Sequence, residues 1–224
     1  MKHWMKVAAS LAVAMGAVQA QAQTQPQSQP SMIHGVTTAV APISAEILNS
    51  PAYAKLIAEL KAGGHIIYLR HAQTASTSEK VVGDLADCSW QRNLSDQGQR
   101  QARLVGGRLG ELAIPVSAVE ASPFCRTRQT AELAFGRKPT INPDLFYHAT
   151  QSLDQVAAAN AKLKARFATA PASGGNLVLV GHSPGMREAG AVELPEGQAA
   201  IVRPNGDGTF RIVGRLTEAG ITPQ

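Results

Sequence analysis

The sequence predicts an α/β fold: a three-layer sandwich with a largely parallel sheet, helices on both faces and a C-terminal β-hairpin. Three observations predict it. Short apolar, β-branched runs such as "HIIYLRH" (65–71) and "NLVLVGH" (176–182) read as buried strands. Longer segments with helical spacing of apolar residues alternate with them. Finally, Asn205-Gly206-Asp207-Gly208 separates "AAIVRP" from "TFRIVGRL", a hairpin signal.

The elements follow in order. "MKHWMK" is a short basic stretch, Val7–Val18 is apolar, and Val18-Gln19-Ala20 or Ala20-Gln21-Ala22 offers a small-residue cleavage site. Residues 1–22 therefore read as a secretory signal peptide, too short in its apolar run for a membrane span of roughly 20 residues. The stretch "QAQTQPQSQPS" (21–31) leads into residues 23–49, which read as a polar Gln/Pro-rich linker, mostly disordered. From residue 50 about 170 residues remain, enough for one domain with a proper core.

Pro51–Lys61 reads as a helix stopped by Gly63-Gly64, and 65–71 as the first strand. A polar loop, 72–93, follows. Ser95 is a helix N-cap, after which Gly98, Ala102, Val105, Leu109 and Leu112 form one face, despite Gly106, Gly107 and Gly110. Pro115 ends that helix and "AVEAS" (118–122) is the second strand. "FCRTRQTAELAFG" is a helix closed by Gly136. Ser152 and Gln155 form a capping box for a helix whose face is Leu153, Val156, Asn160, Leu163 and Phe167. The third strand and the hairpin complete the domain.

Composition excludes some partners. Removing Lys2 and Lys6 lowers the formal charge from +5 to +3, and the remaining basic residues are dispersed. That pattern favours a small anionic substrate over nucleic acid, and 4% aromatic residues leave no stacking platform for bases. No Cys/His cluster has zinc spacing, so neither metal nor cofactor is expected. Export implies the periplasm as destination. Two cysteines in such a compartment, Cys88 and Cys125, either form a disulfide or lie separately as buried thiols.

In open α/β sheets ligands bind beyond the carboxyl ends of the strands. Three strands here end in chemically capable residues: Arg70-His71, Ser122 with Arg126 close behind, and His182. The last lies in Gly181-His182-Ser183-Pro184-Gly185, which also fits the G-x-S-x-G turn of serine hydrolases. The serine reading fails on two counts. Pro184 has no N–H to supply the oxyanion hole, and no histidine follows His182 to act as base. Ser183 then only turns the chain.

"YLRHAQT", "NLSDQGQRQA", "SPFCRTRQTA" and "LVGHSPG" together resemble the histidine phosphatase superfamily, the phosphoglycerate-mutase-like fold, on its small-phosphatase branch. The resemblance covers roughly Ile66 to Gly185. The family's Arg-His-Gly is Arg70-His71-Ala72 here, and its Ser-x-x-x-Arg-x-x-x-Thr-Ala pattern is matched by Ser122, Arg126, Thr130 and Ala131. The resemblance implies a hydrolase that attacks phosphorus through the neutral His71 imidazole. Arg70, Arg126 and His182 would clamp the phosphoryl oxygens, with Thr74 as a further hydroxyl donor and the helix near Arg126 adding its dipole. Arg128 reads as solvated, and Arg92 in the long loop either reaches substrate or, the favoured reading, lies on the surface; His34, His65 and His148 receive no role.

The family's mutases and alkyl phosphatases place a glutamate in a Leu-x-Glu pattern after the second arginine. Leu145-Phe146-Tyr147 lacks it, and Ser183 rather than an acid follows His182. Asp144, Asp154, Glu188 and Glu193 remain as candidate proton donors. The expectation is a periplasmic phosphatase that forms a phosphohistidine and acts on a phosphorylated small molecule or an envelope glycan. The alternative is a phosphoanion-binding protein without turnover.

Overall fold

The computed structural model describes residues 41–77, 83–172 and 174–224; the expected signal peptide and most of the expected linker lie outside them. A four-residue helix, α1 (Ala45–Leu48), precedes α2 (Pro51–Ala62) and β1 (Ile66–Arg70). Next come α3 (Asp96–Glu111), β2 (Val116–Ala121), α4 (Cys125–Phe135) and the two-residue β3 (Thr140–Ile141). Two 3-10 turns, Pro143–Leu145 and His148–Thr150, lead to α5 (Leu153–Ala168), β4 (Asn176–Gly181) and α6 (Ser183–Gly190). β5 (Ala199–Pro204), β6 (Phe210–Thr217) and β7 (Gly220–Pro223) end the chain. No described helix is long and apolar enough to cross a membrane.

The sheet order is β3-β2-β4-β1-β5-β6-β7. β3, β2, β4 and β1 run parallel, whereas β5, β6 and β7 add three antiparallel strands. The hairpin thus continues into a meander, and β5 pairs directly with β1. Apolar residues alternate across the sheet, and both faces are covered. Ile67, Leu69, Val178, Val180 and Ile201 pack with Leu60 of α2, Val105 and Leu109 of α3 and Ala131 of α4. Ile66, Tyr68, Leu177, Leu179 and Val202 face Leu163 and Phe167 of α5 and Met186 of α6. Strands buried on both faces read as continuous apolar runs, as β1 and β4 do.

α3 buries the expected face, with the Ser95 hydroxyl accepting from Gly98 N at 3.0 Å. Gly106 lets α4 pack closely on this helix, because a Cβ there would run into the Ala134 carbonyl of α4. Close helix approach explains a glycine that propensity alone counts against. α5 has the expected reciprocal capping box, but its buried face is Ala159, Leu163 and Phe167. Leu153 is 87% exposed. It lies in the first turn of the helix, before the buried residues begin at Ala159.

Cys88 and Cys125 form a disulfide with 5.8 Å between Cα atoms. The bridge anchors the described part of the 83–93 loop on the first turn of α4. There the buried Gln91 side chain accepts from Cys125 N at 2.8 Å, a cap the N-cap residue Phe124 cannot supply. Arg128 is not solvated: its Nη2 donates to Leu85 O at 3.0 Å and lies 2.9 Å from Cys125 Sγ. The loop covers this side of α4, so a residue two past Arg126 faces it rather than water. The denatured, unreduced mature protein should show no titratable thiol. Replacing both cysteines by alanine should lower stability by roughly 3–4 kcal/mol, the chain-entropy value for a loop of this size; a denaturant midpoint unchanged by the double substitution would contradict it.

Candidate active site

Parallel pairing of β1 with β4 aligns Arg70 with Gly181, and His71 N donates to Gly181 O at 3.0 Å. The next residues, His71 and His182, leave the same sheet edge with ring centroids 5.4 Å apart. Ser122, at the end of β2, donates its N–H to Val180 O and places its hydroxyl 3.0 Å from His182 Nε2. Arg126 lies in the first turn of α4, 4.5 Å above the Phe124 ring and 5.3 Å from that of Tyr147. Tyr147 in turn lies 5.1 Å from His182. His71 and His182 are each 2% exposed and Arg126 1%. Three segments far apart in sequence therefore bring these four residues to one buried edge.

His71 Nδ1 lies 2.9 Å from the Ala72 carbonyl. A carbonyl only accepts, so Nδ1 carries the proton and Nε2 carries the lone pair. Burial is the strongest influence on this ring and lowers its pKa to about 3, against the opposing hydrogen bond to Ala72 and with Arg126, Arg70 and Arg92 acting alongside burial. Burial, then the neighbouring His71 and Arg126, holds His182 well below its ordinary value. Both imidazoles are neutral at physiological pH, as a nitrogen nucleophile must be.

Thr130 ties the histidine to the arginine helix. Its hydroxyl accepts from Ala72 N at 2.9 Å and donates to Arg126 O at 2.7 Å. The glycines of Gly181-His182-Ser183-Pro184-Gly185 have a packing reason. The Tyr68 hydroxyl donates to His182 O at 2.9 Å and accepts from His182 N at 3.2 Å. A Cβ on Gly181 would overlap that hydroxyl, and one on Gly185 would come within 2.8 Å of it. Ser183 does more than turn the chain: it starts α6 and donates its hydroxyl to Glu193.

Of the four acids considered from sequence, three are held by other side chains and the fourth is exposed. Asp144 pairs with Lys162 at 2.8 Å, and Asp154 is exposed in the first turn of α5. Glu188 meets His148 at 3.3 Å and Asn160, while Glu193 holds Ser183 and Arg187. The carboxylate that enters the site is Glu196. Its Oε1 lies 3.6 Å from Arg70 Nη2, 3.7 Å from Arg92 Nη2 and 4.0 Å from His71 Nδ1. Thr74, expected to donate to phosphate, gives its hydroxyl to Glu196 Oε1 and its N–H to Oε2, both at 3.2 Å. Arg92, 37% exposed along its side chain, is a third guanidinium at the edge of the site, the less favoured of its two readings. Glu196 precedes β5, and only the antiparallel pairing of β5 with β1 brings that strand's start beside His71. Among the described residues no group of three His, Cys, Asp or Glu side chains is placed to hold a metal ion.

Two outcomes follow. Buried neutral His71 and His182 take up protons on unfolding below their unfolded value near 6.5, so stability falls as pH drops from about 6.5 towards 3. Each contributes up to about 1.4 kcal/mol per pH unit in that window. In anion-free buffer His71→Asn should flatten the slope of unfolding free energy against pH; an unchanged slope would count against a buried neutral ring. Gly181→Ala should cost about 1–3 kcal/mol through overpacking, partly recovered by adding Tyr68→Phe; urea denaturation reads both.

Residues 66–146 match the family described as Histidine phosphatase superfamily (branch 1). No curated protein matches the chain. Among solved structures, that of the protein histidine phosphatase SixA complexed with tungstate aligns with TM-score 0.52 and 17% identity. The alignment covers 69% of this chain and 97% of that one. The open reading frame Rv3214 from Mycobacterium tuberculosis aligns with TM-score 0.50 and 21% identity, covering 66% and 94%. At these identities the likeness is one of fold. Residues 66–146 thus resemble that family, and the solved structures share the fold.

Proposed function

We propose that this protein is a phosphatase of the small-phosphatase branch that works through a phosphohistidine on His71. The observation that carries the reading is the neutral, tautomerically fixed His71 ring, its lone pair on Nε2, packed against His182 and under the charge of Arg126 and Arg70. In the first step the Nε2 pair forms an N–P bond while the P–O bond to the leaving group breaks. The leaving oxygen takes that bond's electrons. In the second step water attacks phosphorus, the N–P electrons return to Nε2, and the water's proton passes to solvent. The arginines and His182 spread the equatorial charge, and the first turn of α4 adds its dipole.

The substrate class fitting this site is a phosphorylated small molecule, an envelope-glycan phosphate or a phosphoanhydride, met in the periplasm if residues 1–22 direct export as read. Three of the four expected acids are held by other side chains and the fourth is exposed, and general-acid help is typically worth about 10²–10⁴ in rate. Purified mature protein should therefore release phosphate from aryl phosphates and phosphoanhydrides far faster than from glycerol or simple sugar phosphates, and His71→Ala should abolish release. Full turnover by His71→Ala would overturn the reading. Tight anion binding without turnover of any compound would favour the phosphoanion-binding alternative.

A further inference from the structure

Glu196 is tied to the His71 segment from several sides. Gly197 N donates to His71 O at 2.9 Å, and Arg70 N donates to Gln198 O at 3.0 Å. Glu196 O accepts from Gln101 Nε2 at 3.1 Å, and Gln101 Oε1 accepts from Gln73 N at 3.0 Å. Gly197 has φ +73° and lies so close to the Gln101 amide that a Cβ would overlap it. The carboxylate itself is oriented by the Thr74 hydroxyl and N–H. A side chain held this way is a fixed charge, and its nearest approach to His71 is to Nδ1, the ring nitrogen that does not react.

We propose that Glu196 is the charge partner of His71, stabilising the imidazolium that forms when Nε2 bonds to phosphorus. The inference rests on the phosphatase reading above. As the N–P bond forms, the ring keeps its Nδ1 proton and gains a positive charge, which the return of the N–P electrons to Nε2 then removes. Burial and three guanidiniums disfavour that charge. Glu196, 4.0 Å from Nδ1, is the carboxylate placed to offset them. In the resting state the same carboxylate faces Arg70 and Arg92, and there it opposes an incoming phosphate. Glu196 thus acts in opposite directions on ground-state anion binding and on the bonded intermediate, the pattern of a group that favours the transition state over the bound anion. It is a positioning and electrostatic residue that acts through His71.

Two anions separate these effects. Inorganic phosphate occupies the site without bonding to nitrogen, whereas vanadate expands to five-coordination and bonds to an imidazole nitrogen. Glu196→Gln preserves the acceptor for Thr74 and removes the charge. It should bind phosphate severalfold more tightly and vanadate about tenfold to hundredfold more weakly, since an opposite charge at this range is worth roughly one to three pKa units. kcat for an aryl phosphate should fall by a similar factor with KM unchanged or lower. Glu196→Asp, which keeps the charge, should recover most of the vanadate affinity and provides the test if the glutamine variant does not fold. Both anions binding more tightly by one factor would reduce Glu196 to a counter-charge for the arginines. Both binding more weakly would reduce it to a structural support. Either result overturns the proposal. Opposite shifts in a protein that hydrolyses no phosphate compound would uphold the Glu196–His71 pairing and overturn the phosphatase reading instead.

Discussion

The parallel ladder between Ile66–Arg70 and Leu177–Gly181 carries the site, because parallel strands end at the same edge of a sheet. In register, Arg70 stands opposite Gly181, and so His71 and His182 emerge side by side. A slip of one residue would send Ile67 and Leu69 to the face now occupied by Ile66 and Tyr68, exchanging the two cores. Tyr68 fixes the alignment a second time by bonding both backbone groups of His182. The core that stabilises the fold and the geometry that joins the two histidines are therefore one set of contacts.

Around those histidines the electrostatics are lopsided. Arg70, Arg92 and Arg126 all act on His71, which is buried and neutral, and Glu196 is the carboxylate among them. Such a site attracts anions and disfavours a charged ring at rest. The loop around Cys88 completes it from outside: the disulfide, Gln91 and Arg128 all converge on the first turn of α4, where Arg126 begins. A helix start that Phe124 leaves without a side-chain cap is thus covered by a distant segment.

Much of this was legible in the sequence. β1 and β4 are apolar runs too plain to misread, Ser95 and Ser152 cap the helices they signal, and the residues that end the strands are the ones gathered at the site. What escaped was non-local. Periodicity does not reveal that β5 returns antiparallel beside β1, and without that pairing Glu196 is one more acid in a turn. Arg128 read as solvated, and Arg92 as more at home on the surface than at substrate, because nothing local says that a loop folds back over α4. Leu153 read as core because it continues the apolar stripe in sequence, whereas the first turn of α5 that carries it is exposed. β3 and β7, two and four residues long, carry too little pattern to be seen alone.

The central claim is covalent chemistry at His71, and trapping its product tests that most directly. The mature protein would be mixed with a rapidly hydrolysed aryl phosphate carrying labelled phosphorus and quenched within its first turnovers in alkali, where a phosphoramidate survives. The digested protein would then be mapped by mass spectrometry. The account predicts label on the peptide containing His71, localised to that ring and absent from His71→Ala. Label on Ser183, on His182 or on any other residue during steady turnover would contradict it.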